Sequence, residues 1–304
     1  MDRARPAVPG RATAPHRPSG SAGLSLRSGS ASLSLLARTR TGILHLHFGV
    51  RGGRTALLRD TQKAPLMVIR PFELPCSTLM VFIVNPTGGV LGGDHAEIRV
   101  TVEGGARVLI LTQSATRVQP SPDGRPATQD VQFQVAAGGR LEYHPERTLP
   151  FAGSAFAQTL TADLEDGAQF ALTETLASGR VQTGERLAFA SYESRVQVSV
   201  SGRRVYLDRQ RLVPGEFTRA PGVWGGLDYQ ASGVFVGTCE VTALPTVMDF
   251  PAVPSMIATG HTVGGAVWLR GAAARGPELD RALLTAREAL RAQLWGAPPL
   301  EVRR

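Results

Sequence analysis

Ile98-Arg-Val-Thr-Val102, Glu103-Gly-Gly-Ala106 and Val108-Leu-Ile-Leu-Thr112 follow one another along the chain. The first run alternates apolar and polar residues, as a strand with one buried face does, and the last is a continuous apolar run of strand length. The glycines between them supply the positive φ of a tight hairpin turn. Strand, glycine turn, strand is the unit that recurs on either side.

Upstream lie Ile43-Leu-His-Leu-His-Phe48 and Leu79–Val84, and downstream Val131-Gln-Phe-Gln-Val135 and Val196-Gln-Val-Ser-Val200. Ala137-Gly-Gly-Arg140, Glu165-Asp-Gly-Ala168 and Ser201-Gly-Arg203 separate them as further turns. Gly105, Gly139 and Gly167 recur at spacings of 34 and 28 residues, a weak internal repeat that predicts successive hairpins stacked in layers. A helix is expected near the C-terminus. Pro277 stands at its start, Glu278 and Asp280 suit the positive end of its dipole, and Leu279, Leu283, Ala286, Leu290 and Leu294 form a stripe. That stripe could dock a partner or pack on the protein's own sheet. The predicted fold is mainly β, with stacked antiparallel or solenoid-like sheets and the C-terminal helix packed on them.

This domain is expected to span residues 39–304. Residues 1–38 are rich in Arg, Ser, Pro and Gly and read as a disordered basic extension, although a transit peptide or an upstream mis-assigned start would share the composition. The net charge of +8 resides entirely in residues 1–60, ten Arg against Asp2 and Asp60, while the rest is balanced. A basic, nucleic-acid-binding body is therefore excluded. Lys63 is the one lysine, in Gln62-Lys63-Ala64, so no Walker loop exists. Cys76 and Cys239 lie far apart with no metal-ligand spacing, which fits a reducing compartment and neither a disulfide framework nor structural zinc. The longest apolar run has six residues, where a membrane helix needs about 20.

Chemistry has few footholds. Asn85-Pro-Thr-Gly-Gly-Val-Leu-Gly-Gly-Asp94 is glycine-rich but lacks the register and following helix of a phosphate loop. His45 and His47 share a strand face without a third ligand nearby. No nucleophile elbow or zinc-protease helix occurs, which leaves only a hydrolase with a dispersed Ser/His/Asp site, for instance Ser114 or Thr116 beside His95 and Asp94. Carboxylates beside β segments are more suggestive: Asp94, Glu97, Glu142, Glu174, Glu185 and Asp208. Buried, each needs an Arg partner, water or a cation.

Taken in order, Ile69-Arg-Pro-Phe-Glu73 with Cys76, Gly88–Asp94 and Leu111-Thr-Gln-Ser-Ala-Thr-Arg117 resemble the urease accessory protein D family, also called UreH. So do Leu141-Glu-Tyr-His-Pro-Glu146, Ser178-Gly-Arg180 with Gly184-Glu185, and Tyr206-Leu-Asp-Arg209. The resemblance implies a cytoplasmic, non-enzymatic maturation chaperone. Such a protein binds apo-urease and the F and G accessory proteins, UreF and the GTPase UreG, and touches neither nucleic acid nor membrane. It also implies nickel in transit through an internal polar tunnel, with no tightly bound cofactor. Asp94, Glu174 and Asp208 match the family's metal-passage positions, with Thr116, Glu97 and Glu185 as supporting residues.

Overall fold

The structure is a computed structural model that describes residues 40–74, 77–215, 220, 223–237, 247–249 and 255–300. The proposed extension, Cys76 and Cys239 lie outside the described residues. In chain order the strands are β1 (Thr41–Arg51), β2 (Arg54–Lys63), β3 (Met67–Val68), β4 (Phe72–Glu73), β5 (Leu79–Val84), β6 (His95–Val102), β7 (Arg107–Thr112), β8 (Thr116–Val118) and β9 (Ala127–Val135). They continue as β10 (Arg140–His144), β11 (Thr148–Pro150), β12 (Ala155–Leu164), β13 (Gln169–Ala177), β14 (Ser191–Val200) and β15 (Arg203–Leu212). β16 (Tyr229–Val236), β17 (Val247–Asp249), β18 (Ser255–His261), β19 (Val267–Ala273) and helix α1 (Gly276–Trp295) complete the fold.

Two sheets face each other. The first has the order β15-β14-β12-β9-β6-β1-β2, and the second runs β17-β18-β19-β16-β13-β10-β7-β5-β3. From β5 to β14 the chain alternates between them, and within each sheet the successive strands pair in parallel. The fold is thus mainly β and solenoid-like, with one C-terminal helix, as expected. Its glycine turns differ from the expectation of hairpins. Those between β6 and β7, β9 and β10, and β12 and β13 are arches that carry the chain from one sheet to the other. Gly105, Gly138 and Gly167 hold φ of 78°, 72° and 79° at the bends. The arches also stack, with Gly105 N–H donating to Gly138 O and Gly138 N–H to Gly167 O, both at 3.2 Å. Ser201-Gly202 alone of the four turns forms a hairpin, joining β14 to β15.

Burial explains the winding. β6, β9 and β12 largely alternate buried and more exposed positions, so they share the sheet whose outer face meets water. β5, β7 and β10 are buried almost throughout and need cover on both faces. A hairpin would put both kinds of strand in one sheet; an arch lets the continuous runs collect in the covered one. Phe133 lies at the centre of the core, its ring 5.2 Å from Tyr143 and 5.8 Å from Phe170.

Helix α1 covers the outer face of the second sheet. Its stripe residues Leu279, Leu283, Ala286, Leu290 and Leu294 are all buried with Phe235, Ile257 and Leu269, so the stripe packs on the protein's own sheet and is not a free docking face. Gly296, with φ 58°, ends the helix in the left-handed conformation. Arg291 reaches from α1 to the buried Glu142 on β10, and its Nη2 donates to Pro298 O at 3.0 Å. Burial works to raise the Glu142 carboxyl, but His144 and Arg291 outweigh it and hold it below the usual range. His144 is pushed down to about 4, chiefly by burial, and stays neutral at pH 7.

Candidate functional site

Opposite the arches, longer loops close the solenoid. They stack as the strands do: Val90 bridges Val118, and β8 pairs in parallel with β11 through Thr116 and Thr148. Gly89 permits the first contact, since a Cβ there would lie 2.2 Å from Arg117 O. Asp94 pins the glycine-rich loop. Its Oδ1 accepts the Arg40 N–H and its Oδ2 the Leu91 N–H, both at 3.0 Å. One buried carboxylate thereby ties the loop to the segment leading into β1.

Inside, the register aligns one polar level across the first sheet. Ala96 pairs with Gln129, Gln129 with Gln158, Gln158 with Ser194 and Ser194 with Gln210. In the second sheet Glu174, Ser232 and Arg270 are successive partners. The neighbouring level in the first sheet is apolar, with Ile98, Val131, Leu160 and Val196 in line. A polar layer therefore runs across the strands, along the direction in which the coils stack.

Two cavities lie along it. The first, about 80 Å³, is lined by Asp94, Thr116, Gln129, Gln158, Glu174 and Thr175 among others. Several waters fit in that volume. The second is a wider cleft of about 690 Å³, with Glu174, Thr175, Ser194, Asp208, Ser232 and Arg270 in its walls. Glu174 and Thr175 belong to both. Glu174 Oε1 accepts a 2.6 Å hydrogen bond from Gln158 Nε2, and Gln158 Oε1 accepts one of 3.1 Å from Gln129 Nε2. Burial pushes the Glu174 carboxyl up to about 7, against the Gln158 hydrogen bond and with help from the Asp208 charge. Asp208 Oδ1 is held by Arg270 Nη2 at 2.6 Å.

The structure thus brings Asp94, Thr116, Glu174 and Asp208 onto this pair of cavities. Glu97 and Glu185 line neither. Glu97 binds His45 at 2.7 Å and Arg99 at 3.2 Å, whereas Glu185 accepts the Ala152 N–H and pairs with Arg180. His47 likewise bonds Glu103 at 2.8 Å, so His45 and His47 each face a carboxylate. No cluster of three or more His, Cys, Asp or Glu suited to a metal ion occurs among the described residues. Ser114, Thr116, Asp94 and His95 do share the first cavity, but they are not wired as a triad. His95 Nδ1 bonds Thr128 at 2.9 Å and its Nε2 lies 3.9 Å from Asp130, while both Asp94 oxygens hold backbone N–H groups.

Gln129, Gln158 and Ser194 were not singled out from sequence. Their signal is present, as polar residues at inward positions of strands whose other inward positions are apolar. It becomes readable only when the coils are in register.

A family model described as "UreD urease accessory protein" matches residues 40–304. A urease accessory protein UreD of Deinococcus radiodurans is 63% identical over 90% of this chain and 98% of its own length. The UreD of Sorangium cellulosum is 35% identical over 69% of the chain and 66% of its length, and that of Actinomyces naeslundii 28% over 87% and 98%. The match spans both sheets, the stacked loops and the helix, and on it the chain belongs to the UreD family of urease accessory proteins, with a role in urease maturation.

Proposed function

We propose that this protein is a cytoplasmic, non-enzymatic chaperone that binds apo-urease together with the F and G accessory proteins and passes nickel through its interior to the urease active site. The observation that carries the reading is that Glu174 lines both cavities, linking Asp94 and Thr116 on one side with Asp208 on the other. The donors along this path are chiefly carboxylate, hydroxyl and carboxamide oxygens. Such ligands attract Ni²⁺ without the tight hold of thiolates and imidazoles, and conduction needs weak binding at several sites. His95 also borders the first cavity, with its Nδ1 engaged by Thr128.

The test is a co-purification of the full chain with apo-urease and both accessory proteins, followed by Ni²⁺ and a urease assay. Glu174→Ala combined with Asp208→Ala is expected to leave assembly intact and slow activation by about tenfold or more. Normal activation in a normally assembled complex would overturn the reading.

A further inference from the structure

Gln158 stands at the border of the two cavities, beside Glu174 and Thr175, which line both. Gln158 borders the first, and its Nε2 lies 2.6 Å from Glu174 Oε1 and 3.5 Å from Ser194 Oγ, a residue of the second. Its carboxamide therefore spans the boundary between them, presenting N–H groups to the carboxylate that both cavities share. Gln129 Nε2 holds the other end of the amide at 3.1 Å. Gln158 is 7% exposed, and its neighbours two positions away, Phe156 and Leu160, are buried apolar residues.

This arrangement blocks a cation in two ways. The amide N–H groups carry partial positive charge, and they occupy an oxygen of Glu174 that a cation would use. The block is reversible, because the terminal torsion of Gln is soft and the amide is held by side-chain hydrogen bonds to Glu174, Gln129 and Ser194. We infer that Gln158 is a bolt across the path, released when its carboxamide swings from Glu174, with Gln129 as the latch that returns it. The inference rests on the nickel-passage reading above and assigns a positioning role to two residues outside the carboxylate set.

The experiment uses the full chain co-purified with apo-urease and both accessory proteins, with assembly checked by size-exclusion chromatography and activation followed in time after Ni²⁺ addition. Gln158→Ala, which shortens the bolt, is expected to activate at least as fast as wild type. Gln158→Lys, which sets a full positive charge against Glu174 in place of the releasable amide, is expected to slow activation about tenfold. Gln129→Leu, which removes the latch, should activate faster than wild type. A merely structural Gln158 would make the alanine variant slower than wild type, and that result overturns the bolt. If Gln158→Lys matches wild type while Glu174→Ala is slow, the bolt fails and the passage stands. Normal activation by Glu174→Ala as well removes the passage itself, and the bolt with it.

Discussion

Glu142 and Arg291 are both essentially excluded from water, 0% and 1% exposed, and each is the other's counter-charge. Removing one leaves a buried charge without compensation, which costs about 3–5 kcal/mol. Arg291→Ala should lower unfolding stability by about that amount in urea melts, whereas the double replacement Glu142→Leu with Arg291→Met should lose far less. Glu174 behaves differently because its fold favours the neutral form. With a folded pKa of about 7 against an ordinary 4.5, its contribution is most favourable below pH 4.5 and is lost as pH rises through 7. Glu174→Gln removes that loss. Thermal melts should therefore show the variant gaining on wild type between pH 5 and pH 8.

At the scale of elements, α1 depends on its stripe and the loop 85–94 on one carboxylate. Leu290 is fully buried in the middle of the helix face, so Leu290→Ala should cost about 2–5 kcal/mol by chemical denaturation. Asp94→Ala orphans the Arg40 and Leu91 N–H groups, each bonded at 3.0 Å, while Asp94→Asn keeps one acceptor oxygen. Amide exchange in residues 88–94 should accelerate strongly in Asp94→Ala and to an intermediate degree in Asp94→Asn. The arches show why an element can be recognised and its pairing missed. A glycine with positive φ suits a hairpin and an arch alike, and the local sequence around Gly105 carries no mark of which sheet the next strand joins.

For the whole molecule, the two cavities meet at a group that titrates near neutrality. If nickel passes Glu174, its ionised form is the one that admits the cation. The activation rate of the assembled complex, taken as the ratio of wild type to Glu174→Gln at fixed free Ni²⁺, should rise between pH 6 and pH 8 and then level off. A flat ratio would separate the carboxylate from the passage. The ratio is the proper readout, since urease's own pH dependence cancels in it.

The β class, several of the strands, α1 with its apolar stripe, and the family were readable from residue order, because alternation, glycine punctuation and helical spacing are local patterns. Asp94, Thr116, Glu174 and Asp208 were picked out through resemblance and not through any spacing among them, and the structure places them on the two cavities. The parallel winding was not readable, since it follows from how buried runs find cover on both faces. Nor was the polar level of Gln129, Gln158 and Ser194, whose members come from strands tens of residues apart. Side chains at separations that a chain can only close by coiling become neighbours through register, and register is a property of the folded solenoid.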